Sequence, residues 1–336
     1  MREELLNEIR EDVVAQLIER SPWFSEVEIQ NEGLALRDLT AGYGPFTELL
    51  AREKFSDFFF NGNAGSWINR GNLLERYIFE IPERLLINFV RTQALRAGKH
   101  FDQAHPAIDL ELGPGIRLHA LLPPIIEGGI HLSIRVNQQR SLMPRDDRFQ
   151  VLSDLIIHGR RNFLISGGTG SGKTTLLAHL LEELPLDQRI LVIEDTHEII
   201  ASHPHLLRMQ ARERNSEGAG EISVRELIRQ ALRMKPDRIF LGEVRGADVL
   251  DLFLALNTGH AGSGGTIHAN SPQDIPNRIA ALAMTAGITR EGALALFGSA
   301  IEIIIHLDGA QTGSRITSIS KVVIEDNQIK IHEYQN

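Results

Sequence analysis

The run Phe163-Leu164-Ile165-Ser166, followed by Gly167-Gly168-Thr169-Gly170-Ser171-Gly172-Lys173-Thr174, decides how this chain is read. An apolar strand enters a glycine-rich turn that opens a helix, and residues 167–174 satisfy the whole G-x-x-x-x-G-K-[ST] pattern. Glycines let successive backbone N–H groups converge on phosphate oxygens, and the helix N-terminus adds its dipole at the same point. Lys173 is spaced to reach β- and γ-phosphates and the Thr174 hydroxyl to ligate Mg²⁺, with Thr175 completing the cradle. The expected ligands are ATP and Mg²⁺.

Downstream, strands and helices alternate, which predicts an α/β fold with a mainly parallel sheet covered by helices. Ile190 to Ile193 and Ile239 to Leu241 read as buried strands. Ser223-Val224-Arg225-Glu226 is a capping box that opens a helix ending before Pro236. Ser271-Pro272-Gln273-Asp274 opens a later one, and a strand pair after Ile301, turning near Asp326-Asn327, closes the chain.

Upstream the texture changes. Residues 2–20 place Leu5, Ile9, Val13 and Leu17 on one face of an amphipathic helix. Between Phe58 and Val136 short apolar runs are separated by turn signals such as Asn61-Gly62-Asn63 and Gly113-Pro114-Gly115, with one helix at about Pro82 to Ala97. The expected organisation is an N-terminal helical segment over 1–55, a small α/β domain over 56–136, a polar linker over 137–148 and the nucleotide-binding domain over 149–336.

Composition narrows the function. The formal charge is −9 and neither half of the chain is basic, so non-specific, stable nucleic-acid binding is not expected. There is no cysteine, which excludes disulfides, thiolate zinc sites and thiol catalysis and fits a reducing, cytoplasmic setting. The longest stretch free of Asp, Glu, Lys and Arg, Leu252 to Gln273, contains four glycines and several polar residues and cannot span a membrane. Work at a membrane would go through a partner on its cytoplasmic side.

Hydrolysis also needs acidic groups at the carboxyl ends of the strands beside the phosphate loop. Glu243, after Ile239 to Leu241, stands where an ATPase places its second acidic group, although the usual metal-holding Asp before it is absent. Glu194, after Ile193, is the other candidate for catalysis and metal holding, with Asp195 beside it. His268, in Gly264-Gly265-Thr266-Ile267-His268-Ala269-Asn270, can hydrogen-bond a γ-phosphate or the catalytic carboxylate. His260 is a weaker candidate of the same kind.

Taken together, residues 167–174, Ile193-Glu194-Asp195-Thr196-His197-Glu198, Leu232-Arg233-Met234-Lys235-Pro236-Asp237-Arg238, Gly242-Glu243-Val244-Arg245-Gly246, Asn257-Thr258-Gly259-His260 and Thr266-Ile267-His268-Ala269-Asn270 resemble the type II/type IV secretion ATPase superfamily. Their wording is most similar to the Tad/Flp pilus assembly ATPases. The resemblance implies a RecA-like domain behind a smaller PAS-like α/β domain, a homohexameric ring, and force passed to an inner-membrane platform protein. It assigns Glu194 to an Asp box, Glu243 to an atypical Walker B motif and His268 to a His box. Arg117 and Arg135 match positions from which the N-terminal domain reaches the nucleotide phosphates, a task suited to a permanent, forked charge. The zinc-binding cysteine cluster of some members is missing. The alternatives are the ATPase of a type IV secretion or conjugal DNA-transfer apparatus and, in another class, a nucleotide-binding scaffold without turnover. A small-molecule kinase has no use for the Asp and His boxes. A GTPase would carry N-K-x-D, and Asn-Lys occurs nowhere.

Overall fold

The computed structural model describes residues 43–70, 73–113, 115–136, 146–215, 217–310, 313–326 and 328–334. The amphipathic helix expected over 2–20 and most of the expected linker lie outside these residues. The chain divides into two compact units, Met1–Gln138 and Gln139–Asn336.

In the first unit a short helix α1 (Thr47–Arg52) precedes strands β1 (Asp57–Asn61), β2 (Ser66–Asn69) and β3 (Leu74–Tyr77). Helix α2 (Glu83–Arg96) follows, then β4 (Ala107–Gly113), β5 (Ile116–Leu121) and β6 (His131–Val136). All six strands join one antiparallel sheet in the order β3-β2-β1-β6-β5-β4. The period of two is visible in its rows. Ile68, Phe58, Ile134, Leu118 and Leu110 lie side by side and are all buried, facing Leu86, Phe89 and Val90 of α2 within one core. The next row, Asn69, Asp57, Arg135, Arg117 and Glu111, points the other way. Phe46, Leu49 and Phe55 belong to the same core as Phe58. A boundary at 55/56 would therefore cut through it. Hairpin spacing shows where strands turn, but it does not show which preceding residues pack beneath them.

The second unit opens with α3 (Asp147–Leu152), capped by the Asp146 carboxylate on the Phe149 N–H and continued by a π-turn over Ser153–His158. This helix begins inside the expected 137–148 linker. Asp146 and Asp147 read as polar linker composition but serve as cap and first turn. The elements that follow are β7 (Phe163–Gly167), α4 (Lys173–Glu182), β8 (Ile190–Glu194), β9 (Leu206–Gln210), α5 (Val224–Arg233), β10 (Arg238–Val244), α6 (Val249–Leu256), β11 (Gly264–His268), α7 (Ile275–Met284), α8 (Arg290–Ala300), β12 (Ile303–Ala310), β13 (Gly313–Glu325) and β14 (Gln328–Glu333). They form an eight-stranded sheet, β14-β13-β12-β7-β11-β10-β8-β9, parallel from β12 to β9 and antiparallel at β13 and β14. Where a strand pair was expected after Ile301, a three-stranded meander stands, its first strand running parallel to β7. Short buried strands alternate between two cores. Leu164, Leu191, Leu241 and Ile304 face one, and Phe163, Ile165, Val192 and Ile305 the other.

Arg238 fixes the opposite end of this sheet from the phosphate loop. Fully buried, it donates to the carbonyls of Ile156 (2.7 Å), Ile157 (2.9 Å) and Gly262 (3.1 Å) and to Gln188 Oε1 (2.7 Å). Burial lowers its pKa to about 10, which leaves it charged at neutral pH and tied to the π-turn. Among the described residues no helix is long and apolar enough to cross a membrane.

A candidate nucleotide site

Strand β7 delivers its last residue, Gly167, into a turn whose Gly168, Thr169 and Gly170 are exposed, and α4 begins at Lys173. Gly167 has φ 153°, and a Cβ there would lie 2.4 Å from the Leu307 carbonyl oxygen and 2.5 Å from Ser171 Oγ. Only glycine fits beneath this loop. Ser171 is itself buried, and among the described residues its Oγ has no hydrogen-bond partner. Thr174 and Thr175 are half-buried on the first turn of α4.

Lys173 is buried, and its Nζ donates to the carbonyls of Gly167 (3.0 Å) and Gly168 (2.6 Å). Burial pulls its pKa down, against the attraction of Glu243 and Glu198. The same ammonium lies 3.4 Å from His268 Nδ1. The register accounts for that approach, since His268, the last residue of β11, stands beside Gly167 of β7.

His268 Nε2 in turn lies 2.9 Å from Glu243 Oε1. A lysine ammonium can only donate and an ionised carboxylate can only accept, so the neutral ring carries its proton on Nε2 and offers Nδ1 to Lys173. Burial, reinforced by the Lys173 charge, depresses the His268 pKa and favours that neutral form.

Glu243 was expected to follow its strand, but it lies within β10. Leu241 and Val244 face the same core although three residues apart, and the pairing with β11 shifts between them. One residue is therefore extra, a bulge held by the Thr266 hydroxyl on the Gly242 carbonyl (2.6 Å). The bulge turns Glu243 toward His268. Its Oε2 accepts from Arg245 Nε (2.7 Å) and Nη2 (2.6 Å), and Arg245 Nη1 also reaches Asp195 at 3.9 Å.

Glu194 is placed differently from the expectation. It is buried, and Oε1 accepts from the Glu198 and Ile199 amides (both 2.9 Å) while Oε2 lies 3.4 Å from His197 Nδ1. Burial pushes its pKa up, and those hydrogen bonds oppose the shift. This carboxylate organises its own loop. The acidic charge acting on Lys173 comes from Glu243 first and from Glu198 second. His260 Nδ1 bonds the Ala255 carbonyl (3.0 Å) and takes no part. Arg245 is given no role by its motif in the sequence, and only the structure, in which extended residues two apart share a face, makes it the partner of Glu243.

Arg117 and Arg135 are cross-strand neighbours in the first unit. Arg135 Nε pairs with Asp57 Oδ1 at 3.0 Å and remains largely exposed. In the same row they are flanked by Asp57 and Glu111, so the two arginines stand between two carboxylates.

Residues 116–314 match the family model described as type II/IV secretion system protein. The chain belongs to this family. A Mycobacterium tuberculosis protein named for conjugal transfer is 39% identical over 289 residues, covering 82% of both chains. The type IV secretion system protein VirB11 of Bartonella henselae is 26% identical over 280 residues, covering 70% of this chain and 78% of that one. Among solved structures, the pilus retraction motor PilT with bound ADP superposes with a TM-score of 0.55 at 21% identity, covering 79% of this chain and 78% of that chain. The Legionella pneumophila ATPase DotB gives 0.54 at 20% identity, with 83% and 79% covered. At such identities the structural likeness establishes the fold, that of RecA-like P-loop ATPases.

Proposed function

We propose that this chain hydrolyses ATP to drive a secretion or conjugal-transfer machine from the cytoplasmic face of a membrane. The observation that supports the reading is the line Lys173–His268–Glu243, which connects the cation of the phosphate loop to the carboxylate assigned here to polarising water. A passive nucleotide-binding scaffold has no need of that connection.

The residues fit a nucleoside triphosphate with Mg²⁺. The buried Ser171 hydroxyl, unpartnered among the described residues, and the exposed Gly168 and Gly170 suit a loop that cradles phosphate, and Lys173 would exchange its two carbonyl bonds for phosphate oxygens. Among the described residues no three His, Asp or Glu side chains group as a metal cage. A small hard cation held by the Thr174 hydroxyl, phosphate oxygens and water is the arrangement Mg²⁺ prefers, and it would neutralise charge developing on the phosphates. Glu243 then orients and polarises the attacking water, and neutral His268 relays the state of Lys173 to it. Glu194 contributes by fixing the loop that presents Asp195 and Glu198. Arg117 and Arg135 would meet the phosphates in a homohexameric ring and couple hydrolysis to movement of the first unit, with an inner-membrane platform protein receiving the force.

The names of the M. tuberculosis and VirB11 relatives favour conjugal transfer or type IV secretion over the pilus assembly suggested by the motif wording. Steady-state ATPase assays with and without membranes containing the cognate platform protein test the reading, alongside mass-resolved chromatography with ATP and Mg²⁺. Turnover stimulated by the platform and a hexamer peak are expected. A monomer without turnover under both conditions overturns it.

A further inference from the structure

Strand β12 flanks β7 on the side opposite β11, and its His306 was not singled out by any motif. In the parallel pairing His306 stands opposite Ser166, immediately before Gly167. The preceding residues of β12, Ile303, Ile304 and Ile305, are all buried apolar side chains. An isoleucine would complete that run, whereas an imidazole brings a desolvation cost that its hydrogen bonds must offset.

Those bonds lead to the catalytic loop. Ser166 is fully buried, and its Oγ lies 2.9 Å from His306 Nδ1. The ring is also hydrogen-bonded to the backbone of Asn270, the second residue after His268. A carbonyl only accepts, so the ring N–H goes to Asn270, and the single Ser166 hydroxyl proton is shared between Nδ1 (2.9 Å) and the Ile305 carbonyl (3.2 Å). Burial favours the neutral ring that this pattern requires, with Lys173 the nearby cation and Asp308 and Asp274 the opposing charges. One side chain on β12 thus ties the end of β7 to the segment that leaves β11.

That segment sets where His268 sits. With 3.4 Å to Lys173 on one side and 2.9 Å to Glu243 on the other, a small displacement of the chain after His268 breaks at least one contact. We propose that His306 is a positioning residue for ATP hydrolysis, clamping Asn270 to the phosphate-loop strand so that His268 bridges Lys173 and Glu243. The inference rests on the hydrolytic reading above.

The test uses the full chain with His306→Gln, which keeps one donor and one acceptor at similar reach, and His306→Phe, which fills the volume without either. Three quantities are measured: kcat and KM for ATP, affinity for a fluorescent ATP analogue, and amide exchange over 268–274 by mass spectrometry. Since misplacing a catalytic group by an ångström can cost about a hundredfold, His306→Phe should lower kcat at least about tenfold. Its nucleotide affinity should stay within about threefold, the pattern of an interaction made in the transition state rather than in binding. Exchange over 268–274 should rise in His306→Phe, while His306→Gln stays near wild type in all three. Wild-type turnover in His306→Phe, equal damage in both variants, or affinity falling in step with kcat would overturn the clamp. If the unmodified chain has no turnover, the hydrolytic reading fails, and unchanged exchange in His306→Phe would still refute the clamp separately.

Discussion

Replacing Glu243 by glutamine tests the site most directly, because the two carboxylate oxygens have different partners. Oε1 meets the proton on His268 Nε2 and Oε2 meets two donors of Arg245. An amide has one acceptor. If its oxygen turns to Arg245, its NH₂ opposes His268 Nε2–H, and moving that proton to Nδ1 points it at the Lys173 ammonium. If the oxygen turns to His268, the NH₂ opposes the Arg245 fork. Either way one charge-assisted contact is lost, worth about 1.5–3 kcal/mol where solvent is excluded. Arg245 is about half exposed and Glu243 about one-fifth, so solvent screening reduces the cost to about 1 kcal/mol. For a unit of this size that corresponds to a fall in Tm of about 2–4 °C. The catalytic effect is larger. Loss of a general base contributes about 10²-fold or more to kcat, while the phosphate contacts of Lys173 and the loop remain and nucleotide affinity stays within about threefold. Thermal unfolding, calorimetric ATP titration and phosphate-release kinetics on one preparation check all three. Unchanged hydrolysis, with or without the change in Tm, would refute the assignment of Glu243 as the water-polarising group.

Lys173→Ala should weaken ATP binding by about 1.5–3 kcal/mol, or about 10- to 150-fold, through loss of its charged contacts; wild-type affinity in a nucleotide titration would mean the phosphates bind elsewhere. Burial holds the His306 pKa below the usual 6.5, so the unfolded chain takes up a proton that the folded chain refuses. Stability is therefore fully present above about pH 6.5 and is lost as pH falls below it. Denaturant titrations from pH 7 to 5.5 should show a smaller loss in His306→Gln than in wild type, and identical slopes would contradict the shift. Arg135→Ala, which removes an exposed ion pair, should hardly change stability. It should lower turnover at least about tenfold if the arginine completes the phosphate site. A distance probe on each unit should also stop responding to nucleotide, and normal turnover with a normal response would exclude the coupling role.

Much of the second unit was legible because its signals are local. Residues 163–174 combine strand, glycine turn and helix start in one window, and the apolar runs at Ile190 and Ile239 are short and bounded, as buried parallel strands must be. Ser223 caps its helix as expected, its hydroxyl accepting from the Glu226 N–H, which is one half of the expected capping box. What periodicity does not encode is a change of period. The bulge at Gly242-Glu243 exists because Thr266, on another strand, holds the Gly242 carbonyl, and no reading of residues 238–244 alone predicts it. Strand β9 escaped notice for a related reason. At the sheet edge, with Leu206, Leu207 and Met209 half-buried and Arg208 exposed, it shows neither a continuous apolar run nor clean alternation.

The site shows the same division between residue type and partner. Glu194 and Glu243 are chemically equivalent strand-end carboxylates in the sequence, and only their surroundings separate them. Two backbone amides turn Glu194 inward to its own loop, whereas the bulge turns Glu243 to His268 and Arg245. A carboxylate with one oxygen held by two amides of its own loop cannot be freed without unmaking that loop. One held by a half-exposed arginine can be released by moving a side chain, and Asp195, already 3.9 Å from Arg245, is placed to receive it. Because its partner can move away, the proposed hydrolytic cycle assigns the change of partners to Glu243 rather than to Glu194.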